Sequence, residues 1–133
     1  EFKELQERFQ HANILILPSV ISVEKNYLFS KVNSFLLPSY SEGFSIAALE
    51  AISYGKSCIF SENIGFSKEA FKNDSVLICD LNVKSLEEKM SLLINDKDLN
   101  VLLSINSRNF FLMNYQIDDI AKRYYNEIIL SNE

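Results

Sequence analysis

Apolar residues in this chain follow two rhythms. Short unbroken runs of four or five alternate with longer stretches in which apolar positions recur about every 3.6 residues. The short runs are Asn13-Ile14-Leu15-Ile16-Leu17, Ser34-Phe35-Leu36-Leu37, Ser57-Cys58-Ile59-Phe60 and Val76-Leu77-Ile78-Cys79. Runs without polar alternation fit strands covered on both faces, so the pattern predicts strands over 13–17, 34–37, 57–60 and 76–79. Helical spacing predicts helices over 1–10, 22–31 and 45–54, with a short one near 67–71, and Gly55 stands where the third of these must stop. Strands alternating with helices imply parallel pairing. The expected architecture is therefore α/β, a Rossmann-like parallel sheet with flanking helices, with ligands bound at the carboxyl ends of the strands.

Beyond the last run the pattern is helical throughout. Ser85-Leu86-Glu87-Glu88 reads as a capping box opening a helix with Leu86, Met90, Leu93 and Ile94 on one side. Leu99, Leu102, Leu103, Ile105 and Phe110 mark a second helix, and Ile117, Ile120, Tyr124 and Ile128 form the apolar stripe of the last. The adjacent Tyr124-Tyr125 reads as packing rather than as a ligand platform. The chain shows no internal repeat or low-complexity linker.

Composition narrows the class. Hydrophobic residues are 47% and charged residues 23% of 133, and no apolar run reaches the roughly 20 residues that span a bilayer. A net charge of -5 argues against a nucleic-acid partner held by a basic surface. Cys58 and Cys79 lie in separate strand candidates without a paired spacing, and read as two buried thiols. The single His11 has no partner at metal-ligand spacing, so no metal site is expected, and no Ser-His-Asp set is present.

Candidate chemistry concentrates after the second strand, in Ser41-Glu42-Gly43-Phe44-Ser45-Ile46-Ala47-Ala48-Leu49-Glu50-Ala51. A strand, a loop and a helix start in that order make an anion site, because first-turn amides have no intrahelical acceptor and the helix dipole adds positive potential. A pyrophosphate could dock near Ser45 and Ile46. Glu50 stands among Ala47, Ala48, Leu49, Ala51 and Ile52. It is either an exposed residue on one helix edge or a buried carboxylate that needs a strong partner, for which a ribose diol would serve. Glu42 precedes the helix beside Gly43, which lets backbone approach a ligand closely, although a solvated loop acid and a plain turn glycine are the simpler readings.

Pro38-Ser39-Tyr40-Ser41-Glu42-Gly43-Phe44-Ser45, with Glu50-Ala51-Ile52 and Gly55, closely resembles the donor signature of glycosyltransferase family 4, P-S-x-x-E-G-F-G and the second glutamate of E-x7-E. The resemblance implies the C-terminal half of a GT-B fold. It assigns Glu42 to the transferred sugar, as the catalytic residue, and Glu50 to the nucleotide ribose. Ser45 and Ile46 fall at the diphosphate amides, and Ser41, Gly43 and Phe44 complete the donor loop. Departures include Pro18-Ser19 for a glycine, Ser45 for glycine or proline, Ser57-Cys58 for proline-valine, and Phe66 for the second of a glycine pair of which Gly65 and Glu69 are kept.

The expected domain is 1–133 as a partial nucleotide-sugar-binding domain, with 113–133 as a helix crossing back to a missing N-terminal domain. That missing part would carry the acceptor site and the arginine and lysine that neutralise the diphosphate. Lys56 and Lys68 flank the loops but read as solvated. The implied activity is retaining, metal-independent transfer from a nucleotide-diphosphate sugar, as substrate and not cofactor, to a glycan or lipid-linked acceptor. Its expected place is the cytoplasm at the inner face of a bacterial membrane, with peripheral association. The chain alone is expected to be inactive. The alternatives are a catalytically silent GT-B-like module, and an epimerase or phosphorylase of similar fold.

Overall fold

The computed structural model describes residues 4, 7, 8 and 13–129, and the chain divides into two compact units, residues 1–30 and 31–133. In the first, Glu4, Glu7 and Arg8 are helical; the rest of the helix expected over 1–10, and His11, lie outside the described residues. Residues 13–20 are irregular, so the strand expected over 13–17 does not form. A strand exists only as half of a ladder, and an apolar run without a partner stays irregular; Leu15 is 76% exposed. Helix α1, Ser22–Lys31, follows as predicted.

The second unit is built on β1 (Ser34–Leu37), β2 (Ser57–Phe60) and β3 (Leu77–Ile78), parallel and in that order. Ser34 pairs with Ser57 and Leu37 with Phe60, and Ile59 pairs in turn with Leu77. Leu36, Ile59 and Leu77 therefore share one face, where Ile59 joins Cys79, Leu93 and Leu103 in the core and Leu36 and Leu77 pack against it. Alternation sends Cys58 and Phe60 to the other face, where Phe60 meets the edge of Phe35 at 6.4 Å. All four residues of β2 are buried, as expected of a central parallel strand.

The connecting helices are α2 (Ile46–Ser53) and α3 (Ser67–Lys72), and three more follow, α4 (Val83–Asn95), α5 (Lys97–Asn114) and α6 (Ile117–Tyr124). A π-helical segment, Tyr125–Ile129, continues α6. Helix α2 ends at Gly55 in a complete Schellman motif. The Lys56 amide bonds the Ala51 carbonyl at 3.1 Å and the Gly55 amide that of Ile52 at 3.0 Å, with Gly55 at φ +62°.

Three expectations from the pattern change. Helix α4 starts earlier than the Ser85 box implies: Asn82 is the cap, accepting from the Ser85 amide at 2.9 Å, because the Ser85 hydroxyl is engaged by the Asp80 amide at 3.0 Å. The α4 stripe narrows to Leu93, buried, and Leu86, half-buried, with Ile94 70% exposed. On α6 no residue is buried, and Ile117 is 77% exposed. Among the described residues no helix is long and apolar enough to cross a membrane.

Candidate functional site

The loop that leaves β1 is tied to the loop that leaves β2 along its whole length. The Ser61 hydroxyl accepts from the Ser39 amide at 3.2 Å and donates to the Ser39 carbonyl at 2.6 Å. Asn63 Nδ2 donates to the Tyr40 carbonyl at 2.8 Å, and the Glu42 amide donates to the Asn63 carbonyl at 3.3 Å, making a parallel bridge between Glu42 and Ile64. Gly65 closes the series, its amide donating to the Gly43 carbonyl at 2.8 Å. These bonds fix the backbone of Glu42 and Gly43 and leave the Glu42 side chain half-buried.

Ser45 caps α2 in an extended conformation, and its hydroxyl accepts from the Ala48 amide at 3.4 Å. The amides of Ile46 and Ala47 meet no acceptor among the described residues. They stand at the positive end of the helix, where an anion is stabilised. Ile46 is 61% exposed while Ser45 is buried, so the cap is fixed and the first turn is open.

Glu50 is not enclosed as the buried-carboxylate reading required. Ala48, Ala51 and Ile52 form the fully buried face of α2, and the 100° step per residue sets Glu50 opposite them, on the side that carries Ile46. Its side chain is half-buried there. The apolar neighbours in the sequence hid this, because a short helix between a sheet and α5 buries only one face, here Ala48, Ala51 and Ile52. Carboxylate and open helix terminus thus share one side of α2, with Glu42 in the loop before it.

The remaining candidates divide clearly. Ser41 and Gly43 are exposed, and a Cβ on Gly43 would meet nothing within 4 Å, so the chain itself does not require glycine there. Phe44 is 51% exposed and lies against Phe66 and Tyr115 at ring distances of 5.7 and 5.8 Å. Lys68 pairs with Glu62 at 3.2 Å on the surface, as its solvated reading anticipates. Lys56 is half-buried, with its carbonyl accepting from Ser107 at 2.9 Å.

Sequence reasoning missed what holds the loop. Gly65 is required by its approach to Gly43, Ser61 and Asn63 supply the cross-loop bonds, and Phe66, 3% exposed, supports Phe44 from below the surface. No local signal marks Ser61 or Asn63, whose partners lie over 20 residues away. The Tyr115 phenol is held above its ordinary pKa by burial and by the Glu69 carboxylate, with Arg123 opposing.

Comparison with known proteins bears on the family and the fold. The family model described as glycosyl transferases group 1 matches residues 1–110. A Campylobacter jejuni protein, N,N'-diacetylbacillosaminyl-diphospho-undecaprenol alpha-1,3-N-acetylgalactosaminyltransferase, is 38% identical over 99 residues, which is 73% of this chain and 26% of that protein. The chain thus spans about a quarter of that relative's length. Among solved structures, sucrose-phosphate synthase from Thermosynechococcus elongatus superposes with a TM-score of 0.80 at 19% identity, covering 98% of this chain and 34% of that one. The C-terminal domain of a group 1 family glycosyl transferase from Francisella tularensis gives 0.73 at 20% identity, covering 87% and 63%.

Proposed function

The chain belongs to the group 1 glycosyltransferases, and from that premise we propose that it is the donor-binding part of a retaining enzyme. The whole protein moves a hexose-type sugar from a nucleotide-diphosphate donor to a glycan or lipid-linked acceptor. The observation that carries the reading is the open first turn of α2. Two unpartnered amides, Ile46 and Ala47, stand behind a buried serine cap, with Glu42 before them and Glu50 on the same side of the helix. Such a terminus suits a diphosphate, and a carboxylate one turn along suits a vicinal diol, two donors to two acceptor oxygens.

In this mechanism the α2 amides bind the diphosphate and stabilise the charge that grows on it as the glycosidic bond breaks. Glu50 orients the ribose, Glu42 meets the sugar ring, and Ser41, Gly43 and Phe44 shape the loop around it. The acceptor hydroxyl forms the new bond at the anomeric carbon, with configuration kept. Diphosphate charge is met by amides and side-chain cations, without a metal or other cofactor. The Campylobacter relative is named for an undecaprenyl-diphosphate-linked acceptor. That name supports a lipid-linked acceptor here, and with it work at the cytoplasmic face of a membrane.

The test is transfer of radiolabelled sugar by the whole protein from UDP-, GDP- and ADP-sugars, in wild type, Glu42→Ala and Glu50→Ala. Transfer from one donor, lost in both variants, is the expected result. A folded protein that neither transfers nor hydrolyses any donor, and binds no nucleotide by calorimetry, is instead a silent module.

A further inference from the structure

A second concave surface lies beside the loop after β1; it shares Pro38 and Tyr40 with the signature run but none of the residues assigned a donor contact. Between the ends of β1 and β3 a pocket of about 220 Å³ is lined by the apolar Pro38, Leu81 and Leu86 and by Tyr40, Asp80 and Asn82. A smaller pocket of about 170 Å³ shares Asp80 and Leu81 and continues to Ser61, Glu62 and Asn63.

The backbone around the first pocket is fixed while its polar groups are left open. Tyr40 is 80% exposed, yet its carbonyl is held by Asn63 Nδ2 at 2.8 Å. The Asp80 amide donates to Ser85 Oγ at 3.0 Å and its carbonyl accepts from the Asn82 amide at 2.8 Å, whereas its carboxylate has no partner among the described residues. Asn82 Oδ1 is committed to the Ser85 amide, which leaves the Asn82 NH₂ as a donor. A matching ligand offers hydroxyl donors to Asp80, an acceptor to Asn82 and a C–H face to Tyr40 and the apolar wall. A phosphate or nucleotide does not match, because the Asp80 carboxylate repels it and the pocket lining holds no cation.

We propose that this pocket is a neutral-carbohydrate subsite, distinct from the helix terminus, that takes a hexose or N-acetylhexosamine unit. The adjoining pocket gives room for a second unit. Sugar binding at this pocket does not depend on the transferase reading.

Saturation-transfer NMR on the whole protein with methyl N-acetylglucosaminide and methyl glucoside tests this, in wild type, Tyr40→Ala and Asp80→Asn, with UDP, GDP and ADP calorimetry in parallel. The expected result is sugar signal in wild type, reduced at least fivefold in both variants, with nucleotide affinity unchanged. Tyr40 is so exposed that its truncation removes no core packing. Equal sugar signals in all three proteins, or none at millimolar sugar in wild type, overturn the subsite. Sugar binding at Tyr40 in a protein that binds no nucleotide supports the subsite and removes the donor reading instead.

Discussion

Gly65 donates its amide to the Gly43 carbonyl at 2.8 Å, and a Cβ added to Gly65 would lie 2.5 Å from that same oxygen. At this point the two loops at the carboxyl ends of β1 and β2 therefore touch backbone to backbone, beside the Ser61 and Asn63 side-chain bonds. The loop after β1 is positioned by the neighbouring crossover as much as by its own sequence.

The two glycines should consequently behave differently. Gly65→Ala must push the loops apart, at a cost of roughly 1–3 kcal/mol of the kind seen for overpacking, and should weaken nucleotide binding by moving Glu42 and Ser45. At Gly43 a Cβ meets nothing within 4 Å, so Gly43→Ala should keep its urea midpoint. Urea midpoints together with nucleotide calorimetry separate the cases: a loss of binding in Gly43→Ala at full stability would show that ligand, not chain, needs that space.

Phe66 stands where the family usually has a glycine, and it fills rather than disturbs the site. Its ring lies 5.7 Å from Phe44, 5.9 Å from Phe60 and 5.8 Å from Tyr115, with 3% of its surface exposed. Restoring the family residue with Phe66→Gly should destabilise the fold by about 3–5 kcal/mol or more, the range for losing a buried phenyl ring. It should also leave Phe44 without support. Thermal unfolding measures the first effect, and an undiminished midpoint would mean that the aromatic cluster closes up without Phe66.

How far the sequence could be read depended on whether the deciding interaction was local. The β1 and β2 runs, the α2 start within a residue of Ser45 and its stop at Gly55 are set within a few residues, and each lies where the pattern puts it. Strand formation over 13–17 failed because it depends on a partner that hydrophobicity does not reveal. The α4 start was misread because Asn82 competes with Ser85 for the cap, and only the Asp80 bond decides between them. Glu42 and Glu50 stood out in the sequence as candidates, but the Ser61, Asn63 and Gly65 contacts that hold the loop after β1 did not.

Tyr115 joins the end of α5 to the loop, its ring meeting Phe44, Phe66, Phe110 and Phe111 at 5.8, 5.8, 5.9 and 6.3 Å. Its folded pKa is raised by burial first and Glu69 second. The neutral phenol is thus the form the fold favours. The stability it contributes is complete below the unfolded value of about 10, and is lost as pH rises from there through the folded value. Wild type should lose more stability than Tyr115→Phe between pH 9 and the onset of alkaline unfolding, by a margin that solvent screening at the part-exposed ring keeps small. Urea titrations across that window check it; parallel curves for the two proteins would place the phenol in free solvent.

Glu42 and Glu50 should separate kinetically if they hold different parts of one donor. Glu50 shares a helix side with the open first turn, where the ribose next to a bound diphosphate would fall, so its contacts exist before and during transfer. Glu50→Gln should raise KM for the donor and weaken nucleoside-diphosphate binding by roughly 10- to 100-fold, the loss of about 1.5–3 kcal/mol from charged hydrogen bonds, with kcat less affected. Glu42 is held by its backbone to Asn63, and in the proposed reading its side chain meets the sugar. Glu42→Gln should lower kcat while nucleoside-diphosphate affinity stays near wild type, because that probe lacks the sugar. Steady-state kinetics of the whole protein, paired with calorimetry, distinguish the two. An equal loss of nucleotide affinity in both variants would place both carboxylates at the nucleotide and leave the sugar without its assigned contact.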